Sequence, residues 1–391
     1  MKLDDLCSHI VDCEHKTAPI DESGEYFAVG TPAMRDNSIN YSEARRINRV
    51  TYEAWTRRLD PKHGDILLAR EAPVGPVVRI PAEENVAPGQ RTVLLRPDPS
   101  AVDSQFLYYY LISPIRQSDL QVNASGSTVP HLNVADVRAF PTPNVPNLPE
   151  QRAIAEVLGA LDDKIAANER AQRLASQLAR ALFDRAAKLG VRHIVRDVTE
   201  IITRGVTPKY TEDGGITVLN QKCVRNQRVN LAPGRATLSS STRDNKMLRL
   251  HDVLVNSTGF GTLGRAARWI RGMDATVDSH ISIVRFDANL VDPVCAGFGL
   301  LRLEKQIESL AEGSTGQTEL RRDLLAGLEI LVPRSEEQQA VGAELATLDA
   351  HALALEEESH MLAKTRDSLL SLLMSGKVRV RDAEKVVEEA V

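Results

Sequence analysis

The stretch LPEQRAIAEVLGALDDKIAANERAQRLASQLARALFDRAAKLG, residues 148–190, decides the fold of this chain. Helix-forming residues run through it, and no proline follows Pro149. Proline suits the first turn of a helix, and glycine, here Gly190, suits the position just beyond its end. We therefore predict one long helix over residues 149–189.

A second stretch of the same kind, residues 335–375, lies 187 residues further along the chain. Ser335 and Gln338 have the spacing of a capping box, in which the two side chains bond to backbone N–H groups at the helix start. Gly376 follows the last helical residue, as Gly190 does in the first stretch. The sequence thus predicts two long helices of equal length.

Landmarks outside the helices repeat at the same offset, which indicates a duplicated unit of domain plus connector. The matched positions are Asp65 with Asp252, residues 126–128 with 313–315, Asp136 with Asp323, and residues 150–151 with 337–338. Between these landmarks the offset drifts to 189, where Gly75 matches Gly264, and then returns to 187.

The segments before each long helix have a different pattern from the helices. Short β-branched runs separated by glycine and proline predict mostly β domains, with FLYYYLIS at residues 106–113 as a short helix. The predicted fold class is α+β with an internal pseudo-twofold repeat. Its segments are a first domain at 1–147, a helix segment at 148–190, a second domain at 191–333, a helix segment at 334–376 and a tail at 377–391.

Apolar residues in both long helices recur in alternating steps of four and three, the heptad pattern of a coiled-coil seam. The polar residues Asn168 and Gln172 occupy seam positions near the middle of the first helix. A seam of this length requires a partner, and the other long helix is the simplest one, with another subunit as the alternative. The apolar seam residues are Ile154, Leu158, Leu161, Ile165, Leu182, Val341, Leu345, Leu348, Leu355, Leu362, Leu369 and Leu373.

Composition and charge restrict the class of protein. The 391 residues are 42% apolar and contain four cysteines without a CxxC pair, and no apolar run is long enough to span a membrane, so we expect a reduced, cytoplasmic protein. The net charge of -5 argues against a polyanionic partner, but it is an average. Residues 204–271 carry twelve basic side chains against four acidic ones, which favours nucleic-acid binding.

Two segments have residue patterns that resemble a nucleotide-binding site and a zinc site. GFGTLG at residues 259–264 fits a dinucleotide-binding pattern, but no helical sequence follows it, so we interpret it as a turn between neighbouring strands. Cys7, His9, Cys13 and His15 are spaced too closely for a standard zinc finger and are interpreted as structural. With no Walker A, HExxH or GxSxG motif, the chain is predicted to be non-catalytic, without a metal or cofactor of its own.

The paired segments ASGSTVPHLNVADVRAFPTP, residues 124–143, and AEGSTGQTELRRDLLAGLEILVP, residues 311–333, each place a small polar loop before a short amphipathic stretch. Backbone N–H and hydroxyl donors in such loops can approach phosphates and base edges closely. The alternative is a loop that only caps the following helix.

These features together carry a family resemblance. Two β domains, each with a D-[IV]-L strand, a glycine turn, a GST loop and a Glu-Gln pair opening a long helix, resemble the DNA-specificity (S) subunit of Type I restriction-modification systems. The resemblance covers essentially the whole chain. GSTVPHLNVADVR at 126–138 and LPEQRAIAEVLGALDDKI at 148–165 are close to the family pattern, and the second half is looser.

The resemblance implies that each β domain is a target-recognition domain for one half of a bipartite site in double-stranded DNA. Residues 148–190 and 334–376 would be the central and distal conserved regions, forming an antiparallel coiled-coil spacer. Two methyltransferase subunits using S-adenosylmethionine, and in a restricting system two endonuclease subunits using ATP and Mg²⁺, would be the partners. The tail resembles residues 191–200 and is expected to pack beside the N-terminus.

Candidate DNA-contacting residues follow from side-chain chemistry, because Arg and Lys bind phosphates and guanine while Asn and Gln bind adenine. An enzyme that binds a nucleotide or S-adenosylmethionine through GFGTLG, and a coiled-coil scaffold without DNA specificity, are the alternative functions. The candidates are Lys16, Arg35, Arg45, Arg46, Arg70, Ser127, Thr128, His131, Arg204, Lys209, Gln221, Lys222, Arg225, Asn256, Arg265, Thr315, Gln317 and Arg321.

Overall fold

The computed structural model describes residues 1–83, 85–124, 130–212, 214–238, 243–259, 261–310 and 319–390, without the side chain of residue 389. The chain forms two compact units. The first comprises Met1–Ala167 and Ser359–Val391, and the second comprises Asn168–Glu358. Each unit contains one β domain and half of each long helix, so the helix segments are not a separate body.

The β domains consist of short strands and helices in the same order. The first contains β1 (Cys7–Asp12), β2 (Tyr26–Val29), β3 (Met34–Arg35), β4 (Ser38–Ile39), β5 (Arg45–Ile47), α1 (Arg49–Thr56), β6 (Ile66–Arg70), β7 (Val74–Arg79), β8 (Val86–Pro88), β9 (Thr92–Pro97), α2 (Ser104–Ile112), α3 (Pro114–Asn123) and α4 (Val134–Ala139). Helix α5 (Leu148–Ala187) follows.

The second β domain contains β10 (Val191–Ile194), β11 (Thr199–Arg204), β12 (Ile216–Leu219), β13 (Val224–Arg225), β14 (Arg228–Val229), β15 (Arg235–Thr237), β16 (Val253–Asn256), β17 (Ala266–Arg268), β18 (Ala275–Val277), β19 (Ile281–Phe286), α6 (Pro293–Leu301), α7 (Glu304–Ser309), α8 (Arg322–Ala326) and β20 (Glu329–Val332). The chain continues as α9 (Ser335–Met374) and α10 (Val380–Ala390).

The two β domains share one sheet topology, which confirms the internal repeat. The four-stranded sheet runs β1-β9-β6-β7 in the first and β11-β19-β16-β17 in the second, antiparallel throughout. The three-stranded sheets β5-β2-β8 and β15-β12-β18 each combine one antiparallel with one parallel pairing. The hairpins β3-β4 and β13-β14 also correspond.

The apolar cores explain the β-branched runs. Strands β6, β9, β16 and β19 are buried along nearly their whole length because both faces of these central strands are covered. In the first unit the core continues through α2 to the start of α5, where Leu158 and Leu161 are fully buried. The helix predicted at FLYYYLIS is α2.

The long helices lie within a residue or two of their predicted bounds. Asn147, rather than a residue inside the helix, caps α5, because its Oδ1 accepts a hydrogen bond from the N–H of Glu150 at 3.1 Å. The capping box predicted for Ser335 and Gln338 is wrong. Ser335 is already helical, and Gln338 Oε1 instead accepts the backbone N–H of Asp292, the residue before α6.

The seam residues of both helices are buried or half-buried in each unit. In the first unit Arg366 donates from Nη1 to Asp162 Oδ1 at 2.7 Å. In the second unit Asn168 Nδ2 bonds to Glu358 Oε2 at 2.8 Å, and Gln172 Nε2 bonds to the Ala352 carbonyl at 3.0 Å. Since later residues of α5 meet earlier residues of α9, the helices pack antiparallel within each unit.

The C-terminal tail forms helix α10, whereas the matching residues after Gly190 form strand β10. Ala383 and Val387 of α10 are buried in the same apolar core as Leu3 and Leu6. Among the described residues, no helix has the length and hydrophobicity required to cross a bilayer.

Candidate nucleic-acid interface

A buried Asp–Arg pair occupies the same place in both four-stranded sheets. Asp65, just before β6, pairs with Arg96 of β9 at 2.6 Å, and Asp252, just before β16, pairs with Arg285 of β19 at 2.6 Å. Each carboxylate also accepts a backbone N–H three residues earlier. The pair fixes the start of the central strand relative to its neighbour.

A buried glutamine joins each long helix to its β domain. Gln151 Oε1 accepts the backbone N–H of Asp103 at 2.8 Å, and Gln338 Oε1 accepts that of Asp292 at 2.8 Å. Both amides also donate to the carbonyl of a proline five residues earlier. The two aspartates in turn cap α2 and α6. The glutamine of each repeated Glu-Gln pair therefore attaches the long helix to its β domain, and we call this arrangement the glutamine clamp.

Beyond this shared framework, a polar cluster forms in the first unit where β1 and β6 end. His15 Nε2 lies 2.9 Å from Asp12 Oδ2, and Arg70 Nε lies 3.3 Å from Asp12 Oδ1. Glu71 forms a β-bridge with His131. The first polar cluster comprises Asp12, His15, Arg70, Glu71, Arg91 and His131.

A second polar cluster forms in the second unit, where β11 and β16 end. Arg204 Nη2 donates to Glu319 Oε1 at 2.9 Å. Thr258 Oγ1 lies 2.8 Å from His280 Nδ1 and accepts a bond from Gln221 Nε2 at 2.8 Å. The second polar cluster comprises Arg204, Gln221, Thr258, His280 and Glu319.

The two clusters occupy equivalent positions but carry different chemistry. Strand register makes Asp12 equivalent to Arg204, since Asp12 pairs with Val93 and Arg204 with Ser282 of the matching strands. The β-bridge between Glu71 and His131 corresponds to that between Thr258 and Glu319, and Arg91 corresponds to His280. An acidic side chain in one cluster therefore corresponds to a basic or neutral one at the same position in the other. The Asp–Arg pair and the clamping glutamine, which form the shared framework, are identical in both domains.

The described residues that follow the two GST segments in the chain lie in these clusters. Residues 125–129 and 311–318, which include the candidates Ser127, Thr128, Thr315 and Gln317, lie outside the described residues. The first residues described after them are Pro130, which leads into His131, and Glu319. His131 and Glu319, which follow the two segments, are members of the first and second polar clusters.

GFGTLG is a turn, as its sequence context predicts. Gly259, Gly261 and Gly264 all have positive φ values, and they connect β16 to the antiparallel strand β17. The Arg265 guanidinium closes the turn by donating to the Gly261 carbonyl at 2.7 Å. A dinucleotide cradle requires a helix after the glycines in a parallel βαβ unit, so this segment lacks the context for one.

Several predicted DNA-contacting residues are brought together in the clusters, though two of them point inward. Arg70 is 8% exposed and Asn256 is fully buried, with its Nδ2 donating to the Gln221 carbonyl at 3.0 Å. Neither side chain is accessible to a ligand, so we assign both a supporting role and withdraw them as contacts. His131, Arg204 and Gln221 remain at or near the surface.

The other candidates are spread around these clusters. Arg35 and Arg225 are exposed on the matching hairpins β3-β4 and β13-β14, and Arg45 and Arg46 are exposed on the edge strand β5. Arg321 is exposed and lies 3.2 Å from Asp323. Exposed positions in loops or short turns are also found for Lys16, Lys209 and Lys222.

The basic run of residues 204–271 does not form one face. Arg268 bonds to Asp349, and Arg271 bonds to Glu356 at 2.5 Å, so both arginines face helix α9. Arg249 instead lies 3.4 Å from Glu200. Part of the basic run therefore serves internal packing.

A basic groove of about 750 Å³ lies beside the second polar cluster. Arg204, Lys246, Arg321 and Arg322 line it, against the acidic Glu319 and Asp323. Burial lowers the pKa of Lys246, helped by the nearby charges of Arg243 and Arg322. Because neighbouring cations destabilise the charged form of Lys246, an anion bound in the groove would be stabilised there.

Sequence reasoning missed Asp12, His15, Glu71, Thr258 and His280 as members of these clusters. The equivalence of Asp12 and Arg204 rests on an offset of 192, because β1 and β11 lie earlier than the landmarks that share the offset of 187. Glu71 and Thr258 were predictable, since each lies six residues after the aspartate of the repeated D-[IV]-L pattern.

The cysteines and histidines near the N-terminus do not converge on one point. Cys7 lies on β1, where burial raises the pKa of its thiol to about 12. Cys13 is buried, while His15 bonds to Asp12. Within the described residues no group of three or more His, Cys, Asp or Glu side chains has an arrangement suited to a metal ion.

Comparisons with known proteins place this architecture. Residues 1–175 match the family model of the Type I restriction modification DNA specificity domain. The crystal structure of the Type-I restriction-modification system S subunit from M. genitalium is similar with a TM-score of 0.61 and 18% identity, over 95% of each chain. The HsdS subunit from Thermoanaerobacter tengcongensis aligns over 97% of this chain and 96% of its own, at 16% identity and a TM-score of 0.35. Residues 1–175 are thus similar to the Type I restriction modification DNA specificity domain, and the fold of the chain is similar to that of the S subunit from M. genitalium.

Proposed function

We propose that this chain is the non-catalytic DNA-specificity subunit of a Type I restriction-modification system and that it recognises a bipartite site. Residues 1–147 would bind one half-site and residues 191–333 the other. Residues 148–190 and 334–376 would hold the two domains apart, and residues 377–391 would complete the first domain. The family match supports the assignment to DNA specificity.

One observation carries the two-half-site proposal. The Asp–Arg pair and the glutamine clamp are identical in both domains, whereas the polar clusters at equivalent positions differ in nearly every residue. Base recognition depends on the donors and acceptors that meet the base edges, so different clusters on one framework favour different half-sites.

Contacts to phosphates would come from the exposed basic residues around each cluster. In the second domain these are Arg321 and Arg322 of the basic groove, together with Lys222 and Arg225. Arg35, Arg45 and Arg46 would serve the first domain. The candidates Ser127, Thr128, Thr315 and Gln317 belong to the same proposal, because His131 and Glu319, which follow their segments in the chain, are members of the clusters.

The partners follow from the proposed role. Two methyltransferase subunits would supply S-adenosylmethionine chemistry on adenine, and endonuclease subunits, where the system has them, would use ATP and Mg²⁺. This chain would contribute no cofactor and would act in the cytoplasm, where the cell's DNA is. A nucleotide-binding enzyme built on GFGTLG has no support, because that segment is a turn between antiparallel strands.

The test is co-expression of the chain with the methyltransferase subunit of its system, followed by mapping of the modified adenines. We expect two half-sites separated by a spacer of fixed length. Replacing residues 191–333 with the same domain of another specificity subunit should change one half-site only. A continuous site, or half-sites that tolerate any spacer length, would contradict the proposal.

Cluster variants make the test specific to residues. Glu319→Gln and His280→Ala should relax base preference in one half-site, and His131→Ala should relax it in the other. Arg192→Ala, which removes an arginine at 69% side-chain exposure outside both clusters, is the surface control and should leave the preferences unchanged. Affinity of the assembled complex for DNA should fall steeply with salt, whereas a scaffold without DNA function would show no such binding.

A further inference from the structure

The second unit contains a cavity of about 390 Å³ between the paired halves of α5 and α9 and the second β domain. Its apolar lining includes Val229 of β14, Trp269 after β17, and Phe298 and Leu301 of α6. Pockets that hold small molecules measure about 300–1,000 Å³. The cavity is thus large enough for a small ligand, and it lies apart from both polar clusters.

Five arginines surround this apolar floor. Against them stand the carboxylates of Asp349, which bonds to Arg268, and Glu356, which bonds to Arg271 at 2.5 Å. The lining therefore holds three more positive than negative charges. The arginines are Arg173, Arg180, Arg228, Arg268 and Arg271.

Few carboxylates face these guanidinium groups, and outside the lining Glu169 lies 3.9 Å from Arg173 and Glu357 lies 3.9 Å from Arg271. Each guanidinium carries five N–H donors, and the lining includes only two carboxylates to accept them. Arg268 is buried against the Phe298 ring, 4.2 Å from its centroid, and its Nε and Nη1 have no hydrogen-bond partner among the described residues. Burial lowers the pKa of Arg228, and the charge of Arg271 adds to this effect. Both observations favour an added anion.

The first unit provides an internal comparison, because the repeat gives each lining residue a counterpart. Asp162, the counterpart of Asp349, is bonded by Arg366 at 2.7 Å and by the Tyr109 hydroxyl at 2.6 Å. The second unit has Ala179 in place of Arg366 and Phe298 in place of Tyr109. Two groups that satisfy the carboxylate in the first copy are therefore missing from the second.

The remaining differences act in the same direction. Ala352 replaces Ile165, which removes bulk, while Arg180, Arg228 and Arg271 replace Asp367, Ser38 and Ala82, which adds positive charge. At this site the second copy therefore has a smaller residue at Ala352 and three added arginines compared with the first copy.

We propose that this cavity binds a small phosphate-bearing anion with a flat apolar body, in the chemical class of nucleoside phosphates. The planar fork of arginine matches phosphate oxygens, and its face stacks on aromatic rings. The apolar floor would hold the base. Inorganic phosphate alone would leave most of the space to water, which occupies about 30 Å³ per molecule in the liquid. A cationic sulfonium cofactor would be repelled.

The experiment is calorimetric titration of the full-length chain with adenosine monophosphate, adenosine triphosphate and guanosine monophosphate, with inorganic phosphate as the minimal probe. Saturable binding of a nucleotide, with inorganic phosphate weaker by more than tenfold, is the expected result. Arg180→Ser and Arg271→Ala should each weaken nucleotide binding about tenfold, while Arg192→Ala should not change it.

A second variant reproduces the first copy. Ala179→Arg with Ala352→Ile should fill the cavity and abolish nucleotide binding while thermal unfolding stays cooperative. The proposal is overturned if no nucleotide binds, or if binding survives both the filled cavity and the arginine variants. Displacement of the nucleotide by a short DNA duplex would also overturn it, because the phosphates would then belong to the DNA backbone. None of these outcomes depends on the bipartite DNA site.

Discussion

At the residue scale, the Asp252–Arg285 pair shows how burial and pairing compete. The side chain of Asp252 is 1% exposed and that of Arg285 is 7% exposed. Burial raises the pKa of Asp252, although the Arg285 guanidinium and the Arg249 backbone N–H both favour its charged form. Taking two charges out of water costs about as much as their attraction returns, so the pair positions β16 and β19 more than it stabilises them.

Removing one member of the pair is a different matter. We expect Asp252→Asn to lower the free energy of unfolding by about 3–5 kcal/mol, because a buried Arg285 charge would lose its counter-charge. Glu329→Gln breaks the exposed pair with Arg192 and should cost no more than about 1 kcal/mol. Urea denaturation of both variants measures the difference. Equal losses of unfolding free energy in the two variants would show that burial of the Asp252–Arg285 pair does not increase the cost of breaking it.

His251 predicts a pH dependence. Burial and the charge of Arg268 lower the pKa of its imidazole below the ordinary value of 6.5, so the folded chain binds fewer protons there than the unfolded chain. Stability is therefore full above pH 6.5 and decreases as the pH falls from 6.5 towards the folded-state pKa. His251→Asn, which tolerates the positive φ of this position, should lose less stability between pH 7.5 and pH 5 than the parent. An identical pH profile would refute this assignment.

At the element scale, a glutamine near the start of each long helix attaches that helix to an aspartate of its β domain. Gln338 is 6% exposed and connects the N–H of Asp292 with the carbonyl of Pro333. Asp292 in turn caps α6 through a 2.8 Å bond to the Cys295 N–H. One side chain thus joins the first turns of two helices, and Gln151 does the same in the first unit.

Truncating this clamp should therefore loosen the second domain from α9. We expect Gln338→Ala to lower the free energy of unfolding by about 1–3 kcal/mol, the cost of leaving buried backbone groups unpaired. The neighbouring Gln339 is exposed, so Gln339→Ala should change it by less than about 0.5 kcal/mol. Thermal denaturation compares the two variants, and a Gln338 effect as small as that of Gln339 would contradict the clamp.

The elements also show how far sequence alone leads. Both long helices and the central strands were predictable, because heptad spacing and β-branched runs are local patterns. The role of Gln338 was not, since its partner Asp292 lies 46 residues earlier and competes with the local capping box. Only the strand register showed that Asp12 and Arg204 occupy equivalent positions in the two domains. Arg70 and Asn256 carry suitable chemistry, but sequence does not reveal that their side chains are buried.

At the scale of the whole molecule, duplication separates what must stay the same from what is free to change. The framework pairs and clamps recur because each copy must build the same sheet and hold the same helix start. The polar clusters and the cavity differ because neither contributes to that task. A chain built this way can acquire a new half-site, or a new ligand, in one copy while the other copy remains intact.

The proposed spacer role of the helices predicts a change in the DNA site when the helices are lengthened. Inserting one heptad into α5 after Gln172 and one into α9 after His351 keeps the seam in phase and lengthens each helix by about 10.5 Å. Because base pairs rise about 3.4 Å each, the spacer between the half-sites should grow by about three base pairs. Mapping the adenines modified with the co-expressed methyltransferase subunit measures this. The same heptad inserted into α5 alone leaves seven seam-frame residues without partners and should abolish modification, whereas an unchanged spacer in the double insertion would show that the helices do not set the distance.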